Sequence, residues 1–144
     1  MKNIYLLAVD GSPGSKKAVE FAAERAKRGG AKLVVAYVIE WSPYTFNTPE
    51  ENEARHKRRE EEVERAQTQV LDPLVATLRD SGVAVDSVVR HGHPAEVMCG
   101  LANELGATQI FIGRRGTSKV AALLFGSVAG SLVQIAPVPV TVVP

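Results

Sequence analysis

Five short apolar runs, each rich in β-branched residues, recur along the chain and alternate with segments of helical periodicity. Runs of this length and composition are typical of β-strands, and three of them are apolar almost throughout, as strands covered on both faces are. Strands that alternate with helices predict an α/β fold: an open parallel sheet with right-handed crossovers and helices on both faces. The runs are residues 4–9, 32–39, 83–90, 108–113 and 138–143.

Helices are predicted in the intervals between these strands. Residues 13–28 end at a glycine pair, residues 94–105 begin at a proline and end before a glycine, and residues 127–135 end before the last prolines. Residues 50–81 contain Pro73, which should kink or restart the helix because proline lacks the N–H donor. Apolar residues recur in that long segment at three- and four-residue intervals: Val63, Ala66, Val70, Leu74 and Leu78.

Composition and length exclude several classes of protein. At 144 residues the chain fits a single domain, residues 1–144, and its formal net charge of +1 gives no electrostatic case for a nucleic-acid partner. The lone cysteine, Cys99, fits a reducing cytosol and is most simply a buried small hydrophobe. The sequence shows neither a signal peptide nor a run long enough to cross a bilayer. We therefore expect a cytoplasmic domain without membrane insertion.

Three further segments have a structural and a functional interpretation each. Residues 40–49 carry an aromatic cluster that could form a lid or partner surface, or fold back onto the sheet edge. Residues 50–65 hold seven acidic and five Lys or Arg residues, a mixture typical of a solvated helix face. His91 and His93 resemble a metal pair, but no further His or Cys lies at ligand spacing, which favours a structural role at the start of a helix.

A ligand cleft is predicted where the first and fourth strands end, at Asp10 and Gly113. With the common strand order 3-2-1-4-5, the chain reverses direction between these strands, and open α/β sheets bind ligands in the crevice at that reversal. Asp10 and Gly113 would then lie on opposite sides of one cleft. The Asp10 carboxylate could accept hydrogen bonds from ribose hydroxyls or help to hold a metal ion. It could instead serve as a turn or capping residue.

The stretch that follows the fourth strand, "GRRGTSKVAALLFGS" at residues 113–127, has the features of an anion site. Its glycines permit positive φ angles and close approach of a ligand to the backbone. The helix predicted to begin at Ser127 would direct N–H groups and the positive end of its dipole toward an anion. Ser127 could itself contact that anion or cap its own helix. The spacing matches neither a P-loop nor the dinucleotide-binding fingerprint.

The same stretch matches the pattern G-x2-G-x9-G-[S/T] and resembles the nucleotide-binding signature of the ATP-binding branch of the universal stress protein family. The resemblance extends over nearly the whole chain through "AVDGS" at residues 8–12, "GHPAEVM" at 92–98 and "PVPVTVV" at 137–143. It implies a Rossmann-like domain that binds ATP, or another adenine nucleotide, with Mg²⁺ or Mn²⁺ bridging the phosphates.

The resemblance also implies a role for particular residues. Arg115 stands beside the expected phosphate chain, where it would either grip the phosphates or crowd the site. The residues that the resemblance assigns to the nucleotide are Ala8 and Asp10 at the adenosine end, Val38 beside the adenine, Ile112 and Gly113 along the ribose and first phosphate, Arg115 and Gly116 beside the phosphate chain, and Gly126, Ser127 and Val128 at the triphosphate.

Members of the family pair through their last strand, so the resemblance implies a homodimer, with a covered edge in a monomer as the alternative. It implies a nucleotide-dependent regulatory or stress-response switch that acts on an unidentified protein partner. Two alternatives stay open: a slow ATP-hydrolysing enzyme, and a structural dimer that binds no nucleotide. No residue is assigned a catalytic role, because the sequence shows neither a P-loop lysine nor a base placed to activate water.

Overall fold

The computed structural model describes residues 3–40, 48–114 and 127–144. Their five strands form one parallel sheet, and its order 3-2-1-4-5 and alternating helices confirm the predicted fold. The strands are β1 (Ile4–Val9), β2 (Lys32–Ile39), β3 (Val85–His91), β4 (Gln109–Gly113) and β5 (Val140–Val143). The helices are α1 (Pro13–Gly29), α2 (Pro49–Arg65), α3 (Asp72–Asp80), α4 (Pro94–Leu105) and α5 (Ser127–Ile135), with a π-helical segment, Ala66–Leu71, between α2 and α3.

Three strands begin one or two residues later than the apolar runs that predicted them. Before β3, the N–H of Val83 donates to the carbonyl of Leu78 at 3.1 Å, so Val83 belongs to the turn that caps the end of α3. Before β5, Pro139 has no N–H to donate to the ladder, although its carbonyl accepts from the N–H of Ile110 at 2.9 Å. Apolar composition marked these residues as strand, but hydrogen bonding sets the actual boundaries.

The long helical segment restarts near Pro73, as predicted, but its buried stripe differs from the prediction. The N–H of Asp72 donates to the carbonyl of Gln67, five residues back, in the wider turn of a π-helix. This extra residue in the turn separates buried Ala66 from the next buried residue, Leu71, by five positions instead of four. The residues buried after it are therefore Leu71, Val75 and Leu78, whereas Val70 and Leu74 are only half-buried.

Side chains alternate between the two faces of the sheet, and helices cover both faces. Helices α1 and α3 cover one face, where the core includes Leu7, Val35 and Phe111. Helices α4 and α5 cover the other, where Leu6 and Ile110 are completely buried. We call these the α1 face and the α5 face. This arrangement confirms the prediction of helices on both faces.

Helix α2 buries none of its residues, which confirms the solvated face predicted for residues 50–65. Thr48 and Glu51 cap its start reciprocally: the N–H of Glu51 donates to Thr48 Oγ1 at 3.2 Å, and the N–H of Thr48 donates to Glu51 Oε2 at 3.0 Å. The aromatic residues predicted as a lid or edge cover lie outside the described residues. Within the described ranges, no helix combines the length and the apolar character that a bilayer span requires.

Candidate functional site

The two central strands, β1 and β4, are paired only over the first part of their length. Their last paired residues are Leu7 and Phe111. Beyond that point β1 stays paired with β2 as far as Val9, and β4 stays paired with β5 as far as Gly113. The central strands therefore part at their carboxyl ends, where the sheet order reverses, and form the crevice that the strand order predicted.

One side of this crevice is apolar. Ile112, at the end of β4, is only 7% exposed, and Ala8, at the end of β1, is half-buried. Val38, at the end of β2, and Val128, in the first turn of α5, are also half-buried. All four side chains pack against the core of the α5 face, although they come from four separate elements. The apolar residues that were predicted to contact a nucleotide thus border the same core.

A compact polar turn joins β1 to α1 at the rim of the crevice. The Asp10 N–H donates to Ser15 Oγ at 2.9 Å, and Asp10 Oδ1 accepts from the Ser12 N–H at 2.9 Å. The Ser15 N–H in turn donates to Ser12 Oγ at 3.2 Å, which makes Ser12 the N-cap of α1. Gly11 has φ +78°, a conformation that glycine adopts without strain. Asp10 therefore takes part in the turn, where its Oδ1 is held by the Ser12 N–H.

The opposite rim begins at Gly113, which is buried and ends β4. The next residue, Arg114, is exposed, and its N–H donates to the carbonyl of Val143 at 2.7 Å. Ser127 is the first residue of α5 and is exposed, while Ala129 and Leu132 anchor that helix in the core. The predicted site residues Arg115, Gly116 and Gly126 lie outside the described residues.

Comparison with known proteins decides the family. The sequence profile described as "Universal stress protein family" matches residues 1–144. The chain belongs to the universal stress protein family. A universal stress protein of Thermus aquaticus is 34% identical over 143 residues, covering 99% of both chains. The universal stress protein YxiE of Bacillus subtilis is 29% identical over 152 residues, again with 99% of both chains covered.

Solved universal stress proteins share this fold, and two of them are nucleotide complexes. The universal stress protein UspA from Lactobacillus plantarum aligns with a TM-score of 0.87 at 22% identity, covering 99% of this chain and 97% of its own. A universal stress protein in complex with cAMP gives a TM-score of 0.66 at 22% identity, with coverage of 99% and 96%. A universal stress protein from Archaeoglobus fulgidus in complex with dAMP gives a TM-score of 0.67 at 22% identity, covering 100% of this chain and 98% of its own.

The sequence prediction missed Ser12 and Ser15 in this universal stress protein, although both are buried and organise the β1–α1 turn. The available signal was a serine just before Pro13, followed by a second serine three residues later. Serine is a favoured N-cap, and its oxygen accepts from an N–H two or three residues further on. Both hydroxyl groups take part in the turn, because Ser15 Oγ also accepts from the Asp10 N–H.

The histidine segment lies at the end of β3, outside the crevice lining just described. His93 is the N-cap residue of α4, as its predicted structural role implies, but its side chain makes no capping hydrogen bond. His91 Nε2 is buried and has no hydrogen-bond partner in the structure. In the ranges that the structure describes, no three His, Cys, Asp or Glu side chains are grouped to hold a metal ion.

Cys99, predicted to be a buried small hydrophobe, is half-buried and packs against the core of the α5 face. It lies in α4 at the margin of the α5-face core, where helical periodicity directs Met98, Leu101 and Ala102 inward instead. Burial raises the pKa of the Cys99 thiol, and the nearby Glu96 carboxylate raises that pKa further. Both effects disfavour the thiolate, which is the reactive form of cysteine.

Proposed function

We propose that this universal stress protein binds ATP, or another adenine nucleotide, in the crevice between β1 and β4, and that the bound nucleotide regulates its association with a protein partner. The observation that carries the proposal is the parting of β1 and β4 beyond Leu7 and Phe111. This gap lies at the switch point of the sheet, where open α/β folds bind nucleotides. The universal stress proteins solved with cAMP and dAMP support an adenine nucleotide as the ligand class.

The apolar side of the crevice suits the base. Adenine is planar and apolar on its faces, and the short side chain of Ala8 leaves room beside the larger Val38 and Ile112. Asp10, held at the rim by the turn, would accept hydrogen bonds from ribose hydroxyls. Both parts of Asp10 are held in the turn: its backbone N–H donates to Ser15 Oγ, and its side-chain Oδ1 accepts from the Ser12 N–H.

The other rim suits phosphate groups. Gly113 has no side chain to obstruct the end of β4, and α5 begins at Ser127 with its N–H groups and hydroxyl directed toward an anion in this proposal. Gly116 and Gly126 of the signature, with Arg115, would complete the phosphate site. A divalent cation, Mg²⁺ or Mn²⁺, would take its ligands chiefly from phosphate oxygens, since the described residues offer no cluster of metal ligands.

We also propose a cytoplasmic homodimer formed through β5. The carbonyls of Pro139 and Val143 accept hydrogen bonds from the β4 side of the ladder. Because successive residues of a strand alternate, the backbone groups of Val140 and Val142 point away from β4, toward the open edge. The β5 strand of a second copy can pair with these groups. Gly113 in the proposed phosphate site pairs directly with Val143, so ligand and edge strand are neighbours.

The nucleotide proposal is tested by mass spectrometry of freshly purified, denatured protein and by calorimetry with ATP and Mg²⁺. Ala8→Leu places three more heavy atoms in the crevice and should weaken ATP binding at least tenfold, about 1.4 kcal/mol. Ala84→Leu is the matched control, because Ala84 is exposed at the opposite end of the sheet. Equal ATP affinity in folded Ala8→Leu and wild-type protein would contradict the proposal. Steady phosphate release that depends on crevice residues would favour an enzyme.

A further inference from the structure

Strand β3 forms the second edge of the sheet, and its hydrogen bonds to β2 show which of its backbone groups point outward. The Leu33 N–H donates to the carbonyl of Ala84 at 2.8 Å, and the Gly92 N–H donates to the carbonyl of Ile39 at 3.0 Å. Even-numbered residues of β3 therefore direct their backbone groups toward β2. The odd-numbered residues direct theirs outward, toward the position that an additional strand would occupy. These are Val85, Ser87, Val89 and His91.

At the start of β3 an arginine occupies one outward carbonyl. Arg79, in the last turn of α3, donates from Nη2 to the carbonyl of Val85 at 3.2 Å. The same Nη2 lies 3.7 Å from Asp86 Oδ1. Helix α3 covers the α1 face, whereas Asp86 alternates to the α5 face with Val88, so the Arg79 side chain crosses the open edge. Asp86 is also ion-paired with Lys32 of β2, which steadies the carboxylate.

Near the end of β3 a second arginine, Arg90, also contacts an outward carbonyl and a carboxylate. Arg90 donates from Nη1 to the carbonyl of Val89 at 3.4 Å. Its Nη2 lies 3.4 Å from Glu104 Oε1, in α4. Each guanidinium group is therefore positioned by a carboxylate and contacts an outward carbonyl, one near each end of the strand. Between them, Gln67 Nε2 donates to Ser87 Oγ at 3.1 Å and brings the π-helical segment against the middle of β3.

We propose that Arg79 and Arg90 close the β3 edge to pairing with a second copy of this chain. A strand added there would need the carbonyls of Val85 and Val89 as acceptors and would have to displace two charged groups from the edge. Charged side chains over an edge strand are an effective protection against such pairing. A protomer with both edges open would assemble into open chains, because each added copy would expose a new edge.

The closure of β3 does not depend on the proposed dimer. If both proposals hold, copies of this chain associate only through β5.

Sedimentation velocity over a range of concentrations tests the closure with the double variant Arg79→Ala/Arg90→Ala. Its assemblies should grow with concentration to at least about twice the mass of the wild-type species. The control Arg28→Ala/Arg58→Ala removes the same charge from exposed positions in α1 and α2 and should keep the wild-type mass.

A third substitution separates edge pairing from unspecific aggregation. The Ser87 N–H points outward, so Ser87→Pro should remove a donor from the open edge while leaving the ladder with β2 intact. Added to the double variant, it should restore the wild-type mass. A double variant that is folded and keeps the wild-type mass would overturn the proposal, as would large species that Ser87→Pro leaves unchanged. A monomeric wild type with a dimeric double variant would refute the β5 dimer and support closure of β3.

Discussion

The β3 and β5 strands form the two edges of one sheet, yet they differ in the charges and contacts that an added strand would meet. Along β3, Asp86 and Arg90 are charged, and the side chains of Arg79 and Arg90 contact outward carbonyls. Along β5 the sequence is Val-Thr-Val-Val, without a charge, and no described residue hydrogen-bonds to the outward groups of Val140 and Val142. Edge protection is thus local, and a sheet can leave one edge open for association while it closes the other.

The difference arises from neighbouring elements as much as from the strands. Arg79 belongs to α3 and the carboxylate that positions Arg90 belongs to α4, so β3 is protected by helices that end or pass beside it. Strand β5 is preceded by Pro139. Pro139 lies at a position that faces β4, so its missing N–H leaves the outward donors of β5 in place. Proline at this position does not protect the edge.

The largest effect should come from Val142→Pro on the open edge. The substitution removes an outward donor, and a twofold dimer loses that donor in both protomers. Each loss leaves a buried carbonyl unsatisfied at about 1–3 kcal/mol, so the dimer should lose about 2–6 kcal/mol, and its dissociation constant should rise at least about thirtyfold. Dilution series in analytical ultracentrifugation measure this change.

Thr141→Pro is the matched contrast, one residue away on the same strand. Its N–H faces β4, so proline there would break the ladder inside the protomer and lower the free energy of unfolding by about 2 kcal/mol. Val142→Pro should lower the free energy of unfolding of the protomer less than Thr141→Pro, because it keeps the ladder with β4 and loses only the packing of the Val142 side chain on the α5-face core. If the two variants had the same effect on association and on unfolding, the assignment of inward and outward residues in β5 would be wrong.

The spacing of apolar residues was sufficient to predict most of the helices and strands, because that spacing reflects which residues are buried. The bounds of β2, α4 and α5 agree with the prediction. The buried stripe after Ala66 was not predictable in this way, because Leu71 and Val75 are as apolar in the sequence as Val70 and Leu74. The π-turn selects between these two stripes, and it ends two residues before Pro73, which has no N–H to donate.

The candidate site could be predicted only as a position in the fold. Strand order predicted Asp10 and Gly113 at one crevice, and in the structure Ala8, Val38 and Ile112 lie on one face of the sheet. The parting of β1 and β4 was beyond prediction, since it depends on which backbone groups pair between segments about 100 residues apart. The edge arginines were missed for the same reason: in the sequence they are only charges, and their carbonyl partners become visible only once the strand is placed.

The two edges also end differently, and Gly92→Ala tests the end of β3. Gly92 closes the ladder with β2, and its φ of +143° is rarely adopted by other residues. A Cβ atom there would lie 2.7 Å from Val97 Cγ2, at the start of α4. We expect the free energy of unfolding to fall by about 2–4 kcal/mol, from backbone strain together with the overlap. Urea unfolding measures this loss.

Gly100→Ala is the control for that variant, because Gly100 lies in the interior of α4 and an added Cβ meets no heavy atom within 4 Å. Replacing a glycine inside a helix by alanine should stabilise the protein by about 0.5–1 kcal/mol. Opposite signs for the two glycines would show that the end of β3 requires the backbone conformation and the close approach that only glycine allows at position 92. A neutral Gly92→Ala would mean that β3 can end without that turn.

The smallest effect is expected at the exposed ion pair near the end of β3. Arg90 and Glu104 expose 46% and 59% of their side chains, and exposed ion pairs contribute little because water screens them. Glu104→Gln should therefore change the free energy of unfolding by less than about 0.5 kcal/mol in urea titrations. A loss above about 2 kcal/mol would show that the pair stabilises the protomer. The expected small value means that Arg90 is held over the edge at little cost in stability, so selection against unwanted pairing is sufficient to explain its position.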